Sequence, residues 1–438
     1  MIYVEKNGAV LNRLNRRILN LLSNLKFAIL VLLIIAAFSI LGTVIEQNQT
    51  LDFYKANYPK NTYALGVLNW ESIKFLNLDN VYRSWWYLSL LVVLGVSLIT
   101  CSFTQQLPML KISKYWKFIK RKKQLQDLEL KIKLPAKDYS KVINVLNKET
   151  YNIFQYKDYL FCYKGIIGRV APIVVHISII QIFLGAIYGA LFGYGGQEVI
   201  PKAEIFHLQN VLNAGSFSQS PIDTSIRVNN FWIDYSTNEN SPINQFYSDI
   251  SLLDPKGSEV RRKVISVNNP LHFKDITLYQ SDWDILGLRG RLESESKNIQ
   301  YQAKKIKVGG SNRWLFQISI GKDRINALVK DLNKEISLYN GKGEFLKKVK
   351  ERESFDIGNK KFVIDEVLPA TGIDIKSDPG IPFVYLGFLF LILSTLLSFI
   401  SFSKIWVFKR GEEIYIGGTS NRAKISFERY FLQKIKEI

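Results

Sequence analysis

From Val170 to Gln197 the chain carries no Asp, Glu, Lys or Arg. As a helix, that run is long enough to cross a hydrocarbon layer of about 30 Å. It therefore commits the fold to a membrane before any other segment is considered. The same run holds His176, a few residues inside its basic end. An ionisable side chain is costly in lipid, which makes His176 a functional candidate from the outset.

At about 100° per residue, His176 shares a helix face with Arg169, Pro172, Ile180, Phe183 and Ile187. Gly185, Gly189 and Gly193 recur every four residues on roughly the opposite face, and such a row lets another helix approach closely. The helix thus has a packing face and a face free to meet something else. Arg169 lies seven residues before His176, roughly 10 Å along the axis. Two readings of His176 stay open. It donates one interhelical hydrogen bond, or its neutral imidazole ligates a metal, most readily haem iron. One histidine fills one axial position, and with no His or Met in the other spans the second ligand is expected from a partner protein.

Three further uncharged apolar runs, Phe27–Ile45, Ser84–Leu110 and Pro379–Ser403, bring the number of spans to four. The net charge of +20 invites a nucleic-acid reading, so its distribution decides. Residues 1–26 carry +4, residues 105–169 carry 15 basic and five acidic side chains, and residues 404–438 carry +4. Residues 46–83 are neutral and residues 198–378 carry only +2. Four crossings put the basic segments on one side, the positive-inside pattern. Topology accounts for the charge without nucleic acid. It predicts both termini and the middle loop on the cytoplasmic or stromal side and the 198–378 region on the far side.

The expected organisation follows in chain order. Residues 1–26 form a basic tail, 27–45 the first span, 46–83 an exported loop, and 84–104 the second span. A basic loop with a small α/β module occupies 105–168. The third span is 169–193, a β-rich exported domain covers 194–378, the fourth span is 381–403, and 404–438 is a second basic tail. No small-residue cleavage site follows the first apolar run, so it is read as a retained helix. No Arg- and Ser-rich leader is present, so in an organelle the protein is expected to be made in place. Trp85, Trp86 and Tyr87 read as an interfacial aromatic belt, or as a flat platform for a cofactor. The aromatic and basic stretch Tyr115-Trp-Lys-Phe-Ile-Lys-Arg-Lys-Lys reads as a segment on the anionic lipid surface.

Within the basic loop, Leu128–Leu134 alternates like a strand and Asp138 stands ready to cap a helix to about Lys148. Tyr151–Tyr156 and Tyr159–Tyr163 are expected to pair across Lys157-Asp158. In the exported region, segments rich in aromatic and β-branched residues read as strands: Ser225–Tyr235, Tyr247–Leu253, Val260–Val267, Ile276–Tyr279, Trp314–Ile320 and Phe362–Val367. Turn signals such as Asp254-Pro-Lys-Gly separate them. An antiparallel sandwich or open barrel is the expectation. The predicted fold class is a multi-pass α-helical membrane protein with four transmembrane helices and a large β-rich domain between helices 3 and 4.

Cys101 and Cys162 form no CxxC and read as unpaired thiols. His207 and His272, with Asp249, Asp282 and Asp284, match no metal-ligand spacing. No nucleophile elbow, phosphate loop or dinucleotide fingerprint occurs. The soluble domain reads as a binding or docking domain rather than a self-sufficient enzyme.

A series of blocks spread along the chain carries a resemblance. They include Leu41-Gly-Thr-Val-Ile-Glu-Gln, Val81-Tyr-Arg-Ser-Trp-Trp-Tyr, Cys101-Ser-Phe-Thr-Gln-Gln-Leu-Pro and Lys164-Gly-Ile-Ile-Gly-Arg-Val-Ala-Pro-Ile-Val-Val-His. Further along come Gly196-Gln-Glu-Val-Ile-Pro-Lys, Gln245-Phe-Tyr-Ser-Asp, Tyr279-Gln-Ser-Asp-Trp and Gly417-Gly-Thr-Ser-Asn-Arg-Ala. In this order they resemble the ResB or CcsB subunit of the system II cytochrome c synthase, in its plastid and cyanobacterial form. One departure is Ala171, where the family pattern has glycine.

The resemblance implies a membrane partner of the CcsA type with a tryptophan-rich motif, which this chain lacks, and apocytochromes c as clients in the lumen. It implies haem b carried across the membrane, with His176 as an axial ligand to its iron. The basic mouth suits that cargo, since Arg169 and Lys164 could meet its propionates. Asp249, in the Tyr-Ser-Asp block, is the exported-side candidate for a catalytic role. A plastid thylakoid or cyanobacterial membrane is the implied location. This subunit would supply ligand and scaffold, with little catalysis of its own. Two other classes compete: a non-catalytic scaffold whose β domain binds a protein, and a transporter using His176 as a proton relay. The transporter reading has no inverted repeat and no other intramembrane charge to draw on.

Overall fold

The computed structural model describes residues 16–436 apart from 60–68, 120–123, 126–127, 129, 209–210, 220–224, 237–242, 296, 309–310, 322, 334 and 359. Most of the 1–26 tail and the Lys120–Lys123 part of the aromatic-basic stretch lie outside the described residues.

Among the described residues four helices are long and apolar enough to span a membrane: Leu25–Val44, Trp85–Lys114, Ile167–Phe192 and Ile381–Ser398. Their outward faces carry exposed aliphatic and aromatic side chains such as Leu33, Leu184, Tyr385 and Leu396, as a lipid-facing surface requires. Two limits differ from the sequence reading. The second helix runs ten residues past 104, with a π-helical turn at Ser102–Gln106. At about 45 Å it outreaches the hydrocarbon layer. It therefore contains a thioether after all, the exposed Met109. The fourth helix stops at Ser398 because Ser403 already begins a strand. Hydropathy alone does not distinguish the end of an apolar helix from an apolar strand.

The chain divides into two compact units, residues 1–188 with 380–438, and residues 189–379. In the first, the opening helix pairs with the second through Val31, Ile35, Leu91 and Leu94. Tyr54 and Ile73, from the segment between them, are wholly buried in that same core. Gln47 ties the segment down by donating to the Leu78 carbonyl and accepting from the Val81 amide. The third helix uses its glycine face as expected, and its partner is the fourth helix. A methyl group at Gly185 would lie 2.8 Å from Val384, and one at Gly387 would lie 2.6 Å from Ile182. The opposite face brings Phe183 and Ile187 against the first helix pair.

The expected small module is present as Leu130–Pro135, helix Tyr139–Lys148 and the hairpin Asn152–Tyr156 and Tyr159–Lys164. Asp138 occupies the N-cap position without a capping hydrogen bond and pairs instead with Lys141 at 3.1 Å. The sequence predicts a basic tail over 404–438, and the structure differs. Strands Ser403–Arg410 and Glu413–Ser420 are inner members of the same five-stranded antiparallel sheet, between Leu130–Pro135 and Tyr159–Lys164. Helix Lys424–Lys436 adds Phe427 and Phe431 to the core beneath Val142, Leu146 and Ile405.

The second unit is built from three sheets of seven, five and four strands. Two long antiparallel strands, Ile276–Leu292 and Lys360–Ser377, serve two separate cores. Leu278, Ile373 and Ile375 meet Val228, Ile250 and Ile265 in one of them. Ile285, Leu288, Phe362 and Ile364 meet Trp314, Phe316, Ile318 and Leu338 in the other. The unit is thus a pair of sandwiches sharing one ribbon. Bulges at Gln280/Asp282, Ile285/Gly287 and Arg289/Gly290 bend that ribbon. They also interrupt its alternation, which is why the sequence pattern ended the first long strand at Tyr279. At the bend, Ser248, Gln280 and Thr371 form a buried triad. The Ser248 and Thr371 hydroxyl oxygens lie 2.8 Å apart, Thr371 donates to Gln280 Oε1 at 2.9 Å, and Ser248 donates to the same oxygen.

Candidate functional site

The third helix starts where two glycines let the chain close on itself. Gly165 has φ +78°, and a side chain there would strike the Ser401 carbonyl. One at Gly168 would strike the Ile400 carbonyl. This close approach holds the beginning of the third helix against the end of the fourth. Arg169 follows in the first turn, Ala171 is buried, and His176 faces the second helix.

Both ring nitrogens of His176 have partners. Nδ1 lies 3.0 Å from Ser102 Oγ and 3.3 Å from the Leu98 carbonyl oxygen. Nε2 lies 3.0 Å from Gln106 Nε2. A carbonyl only accepts and an amide nitrogen only donates, so these partners select the neutral tautomer with its proton on Nδ1. Ser102 also donates to Gln106 Oε1, at 3.4 Å. The three side chains close a ring: imidazole to hydroxyl, hydroxyl to amide oxygen, amide nitrogen back to imidazole. The π-helical turn supplies both Ser102 and Gln106, and such turns often mark functional sites. The imidazole lone pair, the atom that would bind a metal, is covered by one side-chain amide.

Sequence reasoning found His176 and missed Ser102 and Gln106. The signal was there, since Ser102, Thr104, Gln105 and Gln106 are four polar residues within five positions of an otherwise apolar helix. Such groups need partners in a membrane. Gln105 finds one in the Ser23 carbonyl at 2.9 Å.

The other candidates are placed as follows. The Arg169 guanidinium lies 5.3 Å from the centre of the Phe402 ring, and its Nε is buried without a hydrogen-bond partner among the described residues. Lys164 sits 3.8 Å from Glu149 and 5.7 Å from the Tyr151 ring. Asp249 is gripped by Arg262, which donates through Nε at 2.9 Å and Nη2 at 2.5 Å. Those bonds hold the Asp249 carboxyl below its usual range. No three His, Cys, Asp or Glu side chains gather as metal ligands among the described residues. His272 bonds Thr277 Oγ1 at 3.0 Å, and Asp284 accepts from Trp314 and faces Lys305. Both cysteines are free, and burial pushes the Cys162 thiol up to about 12.

The two tryptophans at the start of the second helix differ. Trp86 is fixed, donating to the Leu76 carbonyl at 3.1 Å and lying 4.6 Å from Phe38. Trp85 is 75% exposed. Together with Ile34, Leu78 and Leu90 they line an apolar cleft of about 470 Å³.

A family model described as the ResB-like family matches residues 25–335 and 329–432. Cytochrome c biogenesis protein Ccs1 of Thalassiosira pseudonana is 42% identical over 426 residues, covering 97% of this chain and all of that protein. The Ccs1 protein of Porphyra purpurea is 42% identical over 417 residues, 95% of each chain. Cytochrome c biogenesis protein CcsB of Trichormus variabilis is 42% identical over 432 residues, covering 97% of this chain and 93% of that one.

Proposed function

The chain belongs to the ResB-like family, and from that premise we propose that it is the haem-handling subunit of a membrane complex that assembles cytochromes c. Relatives along its whole length are named for cytochrome c biogenesis, which supports that broad role. The finer reading is our own. Haem b is the cargo, the partner is a CcsA-type membrane protein, and apocytochromes c are the clients. Both termini face the stroma or cytoplasm, because the basic segments gather there. The unit Gly189–Pro379 then lies on the far side, in the thylakoid lumen of a plastid.

The observation that carries this reading is the pairing of His176. A metal-binding histidine is usually oriented by a hydrogen bond on its other nitrogen. Ser102 and the Leu98 carbonyl provide that anchor on Nδ1. Among the described residues Nε2 meets the Gln106 amide, which can swing away by rotating its own side chain. The imidazole then presents a lone pair without changing its proton count. Arg169, two turns nearer the basic side, meets a propionate of the cargo. Lys164 joins it by leaving Glu149, an exposed ion pair of the kind worth little. Asp249 takes no proton in this scheme. A general acid near neutral pH needs a raised pKa, and Arg262 holds this carboxyl down.

The closed ring also serves a second reading, in which His176 only joins two helices of a scaffold. One experiment separates them. The complex with its CcsA-type partner is purified as wild type and as His176→Gly, with and without imidazole, and absorption spectra are taken. Loss of a Soret band in the variant, restored by imidazole, is the expected result. An unchanged band together with unchanged cytochrome c assembly would leave the scaffold reading standing.

A further inference from the structure

Three cations converge at the start of the third helix. Arg169 and Lys404 lie 5.3 Å and 5.5 Å from the same Phe402 ring, which is itself buried. Arg422 is near enough for its charge to act on Arg169 and donates to the Ser398 carbonyl at 2.5 Å. Lys404 donates to the Ile112 carbonyl at 3.2 Å. Burial and then the charge of Arg169 draw the Lys404 ammonium below its usual range. Among the described residues no carboxylate pairs with any of the three. The nearby Lys164, by contrast, has Glu149.

Gathering like charges in a partly desolvated place is unfavourable, and one aromatic ring offsets only part of the cost. The fold nevertheless enforces it. Gly165 and Gly168 clamp the third helix against the end of the fourth, and Asn421 accepts from the Phe402 amide. The Nε of Arg169 is left buried with no acceptor among the described residues. The place is also specific. Ile112, Arg169 and Ser398 mark the same-side ends of the second, third and fourth spanning helices, which is where a membrane amphiphile keeps its polar group.

We propose that Arg169, Lys404 and Arg422 form a binding site for the oxyanion of a membrane-borne amphiphile. Two sources share that chemistry: the phosphate of an anionic lipid, and a propionate of the haem cargo. The second source rests on the function proposed above; the first does not.

The test uses the full chain with its partner in nanodiscs of mixed phosphatidylcholine and phosphatidylglycerol. Wild type is compared with Lys404→Gln/Arg422→Gln and with the charge-preserving Lys404→Arg/Arg422→Lys. Bound lipid is read by native mass spectrometry. Haem and haem dimethyl ester, whose propionates are masked, are titrated by Soret absorbance. A lipid site predicts several-fold enrichment of phosphatidylglycerol in wild type, lost in the Gln pair and kept in the charge-preserving pair. A propionate site predicts several-fold preference for haem over its ester, lost and kept in the same variants. If wild type shows neither preference, the proposal is overturned whatever the variants do. The lipid arm needs no haem, so its success would stand even if His176 proved to be a packing residue. A working His176 with neither preference would sink this site alone.

Discussion

Two polar networks in this protein look alike on paper and differ in what they permit. The ring of His176, Ser102 and Gln106 joins two spanning helices; the triad of Ser248, Gln280 and Thr371 sits at the bend of the β unit. Each member of both has a partner. The triad is sealed, with Ser248 and Thr371 wholly buried, and its atoms satisfy one another and the Asp282 carbonyl. The ring is half-buried and includes the His176 Nε2 lone pair, which meets a movable amide. A buried polar network closed on all sides specifies a fold. One with a displaceable member can exchange that member for a ligand.

Breaking each network should therefore give opposite signatures. The largest effect is expected from His176→Gly. Holocytochrome c assembly, read by haem staining, should fall by more than the 10–100-fold typical of losing an outer-shell partner, with little change in thermal stability. Gln280→Leu should do the reverse, lowering stability by about 2 kcal/mol through orphaned hydroxyls and the Asp282 carbonyl. The haem band per folded molecule should stay unchanged; a lost band would erase the distinction between the networks.

Ser102→Ala removes part of the anchor on Nδ1 and should weaken haem binding about tenfold, measured by Soret titration. Gln106→Leu sharpens the comparison most, because it removes the cover rather than the anchor. Binding should tighten by about fivefold, the worth of one net hydrogen bond near 1 kcal/mol. Weaker binding in this variant would make Gln106 an anchor like Ser102. The smallest effect concerns Asp249. Its folded pKa is depressed, so its contribution to stability is present above about pH 4, its unfolded value. That contribution is lost as pH falls through the folded value. In melts taken across the acid range, the difference between wild type and Asp249→Asn should shrink on acidification and be flat between about pH 5 and 8.

Much of this was legible from local pattern. Hydropathy located four spans, and strand Ser225–Tyr235 was legible to the residue from its aromatic and β-branched content, in spite of a bulge at Val228/Asn230. The two-faced use of the third helix followed from a 3.6-residue period acting on glycines and one histidine. The failures have a common cause. Strand Ile276–Leu292 was cut short because bulges destroy a period of two while the ladder continues. The strands Ser403–Arg410 and Glu413–Ser420 were taken for a tail, since their value lies in edges they share with residues more than 200 positions away.

By itself, the amino-acid sequence determined that this chain is a membrane protein, that its positive charge gathers in the segments outside the spans, and that His176 is a costly residue in an apolar helix. Burial cost and helix period are properties of a segment and its solvent, so a segment suffices to reveal them. Only the tertiary structure decided what His176 meets, that Lys164 has an acid beside it, and that Arg169 shares Phe402 with Lys404 and lies close to Arg422. Those outcomes depend on how closely separate backbones approach, which Gly165, Gly168, Gly185 and Gly387 permit only once the third and fourth helices are side by side.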